Sequence, residues 1–356
     1  MRFDRIEVPG EHEARERAWD VVRAAYAERE PVPRPRRRLA PAVVLGLAVA
    51  LTAVALSPPG RAVVDSVRKA IGIESAEEAL FSLPVPGRLL VVSDSGAWAV
   101  ANDGSIRRLG DYREIRCSPF GRFVAAARAN ELAALEPDGD VHWKLSRPGV
   151  RAPEWGGTLT DTRIAYVSRG RVRVVAGDGT GDHALAPGRA AAWVPGSVRL
   201  LAVAGTSGVS LVDVETSETR WTTPVRAATL AWSADGTRLL ALGVGRYAVL
   251  SPMGKVLTEG RASAGAFAPR GHALALIRGD RLEVDGRLRF RGTGAFGDVT
   301  WSPDGGWIAV AWPEADQLVF VRAAGRRKIE ASANVADQFE STSTPRLAGW
   351  CPLPQP

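Results

Sequence analysis

Cysteine, methionine and histidine are scarce in this chain: two, two and four among 356 residues. No Cys-x-x-Cys occurs, which excludes a structural zinc site of the usual spacing. His12, His142, His183 and His272 stand far apart and make no metal-ligand pattern. Gly-x-Ser-x-Gly is also missing, so there is no nucleophile elbow of the hydrolase kind. The formal net charge is +7. Yet no Lys- and Arg-rich face with interleaved aromatics is visible, as nucleic-acid binding would require. Apart from a run at 34–38 the arginines read as scattered, the mark of a composition that uses Arg in place of Lys. No nucleic acid partner is expected.

Long hydrophobic runs are almost absent too, with one exception. Residues 39–56, "LAPAVVLGLAVALTAVAL", carry no charge. As a helix they would reach roughly 27 Å, close to the hydrocarbon thickness of a bilayer. The run is longer than a signal-peptide core and starts late in the chain. Ala53-Val54-Ala55 keeps cleavage open as an alternative. The expectation is one transmembrane helix over 39–57. Arg34, Arg36, Arg37 and Arg38 abut its N-terminal end and would hold residues 1–38 in the cytoplasm. The rest would lie outside, on the far face of the plasma membrane. Within the inner segment, 11–30 reads as one amphipathic helix, a docking element for a cytoplasmic partner or a helix lying on the membrane. Residues 58–83 read as a juxtamembrane helix and linker, with the helix over 60–72.

From 84 to 356 the texture changes. Short β-type runs alternate with Gly, Asp and Pro turns, and helical periodicity is hard to find. The stretch "VTWSPDGGWIAVAW" at 299–312 returns in degraded form as "LAWSADGTRLLA" at 230–241 and "IRCSPFGRFVAA" at 115–126. Each copy has an anchor, a turn and an apolar strand. The anchors are Cys117, Trp155, Trp193, Trp232, Phe267, Trp301 and Trp350, at successive gaps of 38, 38, 39, 35, 34 and 49. A period near 40 with four strands per unit is the signature of a β-propeller blade. Trp350 comes too late to complete a blade, and the first unit (88–111) lacks an anchor strand. Together they would make one. The expected fold is therefore all-β: a seven-bladed propeller whose closing blade is shared between its two ends.

Trp301-Ser302-Pro303-Asp304-Gly305, followed by an apolar strand, resembles the repeats of TolB-type, WD-repeat-like propellers, with Trp232–Gly236 close behind. The resemblance covers about 88–356. It implies a propeller and a protein-interaction role in the bacterial envelope, and the expected function is an external module that binds a protein, peptide or small ligand and relays a signal to a cytoplasmic partner. The layout of cytoplasmic helix, single span and external domain is similar to that of single-pass anti-sigma factors, without their His and Cys zinc motif.

No catalytic, cofactor-binding or metal-binding residue is expected, and the chain reads as a non-enzyme. Glu114 and Glu154 are the best channel-side carboxylates for a metal-centred lactonase, but they fit ordinary strand rims as well. Asp178 and Asp182 in "GDGTGD" have a spacing loosely like a calcium loop; a Gly-rich hairpin turn is the alternative. Cys117 and Cys351 fall on anchor strands of neighbouring blades. A disulfide between them would staple the ring, although the two are offset by one residue in the repeat. An envelope enzyme with a channel site and a purely structural envelope protein stand as alternatives to the binding role.

Overall fold

The computed structural model describes residues 76–77, 82–326 and 328–354. The amphipathic segment 11–30, the arginines at 34–38, the apolar stretch 39–57 and the helix expected over 60–72 lie outside the described residues. Among the described residues no helix is long and apolar enough to cross a membrane.

Seven antiparallel sheets are formed, each in simple meander order. Blade 2 is Glu114–Cys117, Val124–Arg128, Glu131–Leu135 and Val141–Ser146. Blades 3 to 7 repeat the pattern, with innermost strands Arg151–Gly157, Ala190–Trp193, Thr229–Trp232, Ala264–Phe267 and Val299–Trp301. Blade 1 is composite. Its innermost strand, Arg346–Cys351, pairs antiparallel with Arg88–Ser93, which continues to Gly96–Val100 and Ile106–Gly110. The ring thus closes with a C-terminal strand on three N-terminal ones, which covers the edge that Arg88–Ser93 would otherwise expose. At the outer edge of blade 7, Ala76–Glu77 adds a short parallel strand on Ile329–Ala333.

The middle strands of the blades are apolar without a polar face because both faces of the sheet are covered there, whereas outermost strands such as Val141–Ser146 and Val256–Gly260 are largely exposed. Side-chain alternation sends consecutive residues to opposite neighbours. Leu89 and Val91 pack toward blade 7, whereas Leu90 and Val92 pack toward blade 2. In the same way Val124 and Ala126 face blade 1, and Ala125 and Ala127 face blade 3. The core is consequently not one mass. It is a set of seven slabs, one at every blade-to-blade boundary.

The long gap between Trp301 and Trp350 also has a structural cause. Blade 7 carries two insertions absent from the other blades. One is a 3-10 turn at Pro313–Ala315, and the other leads through helix α1 (Val335–Gln338) to the closing strand. Val335 and Phe339 are fully buried in the slab between blades 7 and 1, so the insertion wedges the seam.

Candidate functional site

All seven anchors lie on innermost strands. Their large side chains reach across to the preceding blade. Trp193 Nε1 donates to the Glu154 carbonyl at 3.1 Å, and Trp301 Nε1 to the Ala266 carbonyl at 2.9 Å. In both cases the acceptor immediately precedes the previous anchor. Each ring also lies against the residue after that anchor. A Cβ on Gly156 would come within 2.1 Å of Trp193 Cγ, so glycine there makes room for the indole.

That geometry explains the cysteines. Cys117 is the anchor of blade 2, and Cys351 follows the anchor of blade 1. The structure joins them in a disulfide with Cα atoms 5.6 Å apart, within the range such a bond requires. The one-residue offset is what brings them together, because an anchor meets the residue after its neighbour's anchor. Sulfur takes the place that an indole fills between blades 3 and 4.

The anchor turns are held by small polar groups. Buried Ser302 donates to Asp304 Oδ1 at 2.6 Å and accepts the Trp307 N–H at 2.9 Å. Asp304 accepts the Gly306 N–H, and Gly305 takes φ of +73°, a conformation that glycine adopts without cost. Ser233 and Asp235 repeat the arrangement. Asp235 additionally contacts His272 of the next blade at 2.7 Å. Hydrogen bonds from Ser233 and His272 hold its carboxyl well below the usual range. Blade 3 lacks Asp-Gly here, and its inner strand instead runs two residues past Trp155 before turning at 158–161.

The "GDGTGD" residues separate in function. Asp178 caps its own hairpin, accepting the N–H and hydroxyl of Thr180 at 2.9 and 2.7 Å. Asp182, nearly buried, accepts from Tyr166, Arg173 and Arg147 at 2.6 to 2.8 Å. Burial pushes the Asp182 carboxyl up, but these donors outweigh it and leave the group below its ordinary value. Burial and the Asp182 charge raise the Tyr166 phenol well above its ordinary value. The two aspartates do not converge. No cluster of three or more metal-ligating side chains exists among the described residues.

Two cavities lie among the innermost strands. Toward the anchor end lies a cavity of about 770 Å³, walled by Trp155, Trp193, Trp232, Phe120 and Phe267. Toward the start of the innermost strands lies one of about 340 Å³ with a different lining. Glu114 and Glu154 stand here, on adjacent blades, and each is already engaged. Glu154 Oε1 meets Arg116 Nε at 3.0 Å, and Arg116 also donates to the Ala348 carbonyl. Glu114 accepts the Ala152 N–H. These groups touch channel solvent yet are surrounded by protein. Burial therefore holds the Glu154 carboxyl above its ordinary value, while the Glu154 charge raises the Arg116 guanidinium. Asp298, on the blade 7 side, is likewise raised by burial, with Arg346, Arg116 and the Leu347 N–H pulling it back.

The remaining charge at this mouth is arginine. Arg346, Arg113, Arg151 and Arg189 occupy one register position, four residues before the anchors Trp350, Cys117, Trp155 and Trp193. They belong to four successive blades, and all four are exposed lining residues of the same cavity. A search for converging carboxylates misses them. The signal is present once the anchors are aligned, so the apparent scatter of arginines is a repeat-register pattern.

No protein-family model matches this chain, and no curated protein matches it. Solved structures do. The β-propeller domain of Myceliophteria thermophila Cps50 (Swd1) superposes with a TM-score of 0.50 at 15% identity, covering 63% of this chain and 86% of that one. The C-terminal WD40 domain of Sif2 gives a TM-score of 0.50 at 12% identity, covering 79% of this chain and 87% of that one. At such identities the likeness is one of fold: a WD40-like seven-bladed propeller.

Proposed function

We propose that this chain is a single-pass membrane-anchored binding protein. Its propeller holds a protein or peptide on the outer side of the membrane, and residues 11–30 face a cytoplasmic partner. The observation that carries the binding role is the channel mouth. A closed ring presents, at one register position of four neighbouring blades, arginines that leave the mouth with more guanidinium groups than carboxylates. Propellers are rigid platforms on which loops and strand ends present side chains, and such scaffolds favour recognition.

The outer location draws on three features. The uncharged run at 39–56 is long enough to span a bilayer, and its arginine flank favours a cytoplasmic N-terminus. A disulfide persists outside the cytoplasm and is rare within it. The Trp-Ser-Pro-Asp-Gly resemblance to TolB-type propellers suits the envelope as well.

In-cell crosslinking and pull-down of the full chain, beside a version lacking residues 1–30, tests the reading. A cytoplasmic protein captured by the first and lost from the second, with the external partners retained by both, is the expected result. Capture of the same set by both versions would remove the cytoplasmic arm. Failure of either to capture an external partner would remove the binding role.

A further inference from the structure

The guanidinium groups at the channel mouth outnumber the acids that could neutralise them. Five arginines (113, 116, 151, 189 and 346) and three carboxylates (114, 154 and 298) line the cavity, a net of +2. The acids are committed to the fold. Glu154 pairs with Arg116, Glu114 accepts the Ala152 N–H, and Asp298 accepts the Leu347 N–H under the charge of Arg346 and Arg116. Arg346 donates to the Arg113 carbonyl and Arg113 to the Asp94 carbonyl, contacts that orient both groups without cancelling their charge. Arg151 and Arg189 make no ion pair or side-chain hydrogen bond among the described residues. Four like charges on successive blades repel one another, and Arg151 and Arg189 have no side-chain polar contact among the described residues to offset that repulsion. Such an arrangement is stabilised by an anion that arrives from outside.

The wall between them narrows the choice of anion. Ala152, Ala190, Ala191, Ala228 and Ala348 stand in it among larger apolar side chains such as Leu230 and Leu347, and leave space beside the backbone. No aromatic side chain lines this mouth among the described residues, so a nucleic acid strand finds no surface on which to stack its bases. Guanidinium forks match carboxylates in two-point geometry. We infer that this mouth binds an extended acidic peptide, with clustered Asp or Glu carboxylates on Arg113, Arg151, Arg189 and Arg346 and its backbone against this wall. The inference rests on the propeller being a binding module, and it names the ligand class of that site.

Full-length protein in detergent micelles is titrated into a fluorescein-labelled (Glu-Ala)4 peptide and followed by anisotropy. The neutral (Gln-Ala)4 peptide and an oligothymidine strand are run in parallel, with inorganic phosphate as competitor. The variants are R151E, R189E, their double and the R151K/R189K double; neither residue holds a structural contact, so folding is preserved and checked by melting temperature. The expected result is that the acidic peptide alone binds. Its affinity falls about tenfold or more in R151E/R189E and by a clearly smaller factor in R151K/R189K, which keeps the charge and loses the fork, and it weakens as salt is raised. Equal binding of the neutral peptide, tighter binding of the DNA strand, full displacement by low phosphate, or indifference to R151E/R189E would each overturn it. The same variants in the crosslinking experiment separate the two levels. If external partners survive R151E/R189E, the arginine site is wrong and the binding role stands. If the acidic peptide binds in vitro but no partner is captured in cells, the site stands and the wider role falls.

Discussion

Single side chains here act by joining one blade to the next or one strand to its neighbour. Asp182 is the clearest case. Its carboxylate, with 5% of the side chain exposed, serves Tyr166 and Arg173 on two neighbouring strands and Arg147 in the loop after Val141–Ser146. D182N leaves Arg147 and Arg173 facing a neutral amide. It should lower stability at neutral pH by about 2 kcal/mol, the scale of hydrogen bonds to a charged group. The sign of the pH dependence follows from a carboxyl pKa that folding lowers. The stabilisation is fully present above the unfolded value, near 4, and is lost as pH falls through the lower folded value. Urea unfolding followed by tryptophan fluorescence should therefore show a gap between wild type and D182N that is wide at pH 7 and narrows below about pH 4. A gap of constant width would mean that the carboxylate charge contributes nothing.

Within and between blades, the informative feature is which positions meet. The strand pattern, the turns and the blade count follow from the sequence because each rests on local chemistry. Asp-Gly supplies a positive φ, a tryptophan marks a strand end, and apolar runs bounded by turns mark covered strands. Trp301–Gly305 announces its own conformation. What the spacing does not supply is the radial register between blades. Aligning Cys117 with Trp350 treats equivalent positions as facing each other, whereas each anchor leans onto the residue beyond its neighbour's anchor, as Trp193 leans onto Gly156. The arginines at 113, 151, 189 and 346 escaped notice for a related reason. They lie up to 233 residues apart in the chain, from 113 to 346, and only the ring brings them to one mouth. The disulfide offers the direct test at this scale. The two cysteines of the folded protein should resist alkylation until reduced. C117A/C351A should be less stable by about 2–4 kcal/mol, because the bond constrains a separation of 234 residues in the unfolded chain. Ready alkylation before reduction would mean that blades 1 and 2 sit farther apart than described.

For the whole molecule, closure is the governing property. Seven slabs of core each need two blades, so no blade is complete alone, and blade 1 needs both ends of the domain. Truncation after Pro345 removes one strand, yet it opens the inner edge at Arg88–Ser93 and exposes Leu89 and Leu90, both fully buried in the ring. The truncated chain should elute as aggregates in size-exclusion chromatography, where the intact chain elutes as a discrete species. A well-behaved truncated monomer would show that six blades suffice.

The same closure sets an order of events during synthesis. Arg88 pairs with Cys351, so the earliest strands of the ring wait through 263 further residues before their partner exists. At ordinary rates of translation that interval lasts tens of seconds, during which a three-stranded sheet carries an open inner edge. Local hairpins can form as they emerge, but the seam is a contact of extreme sequence distance and comes last. The unfinished ring therefore carries that open strand edge until Arg346–Cys351 emerges, and the time spent unclosed is set by the distance between the two halves of blade 1 in the chain.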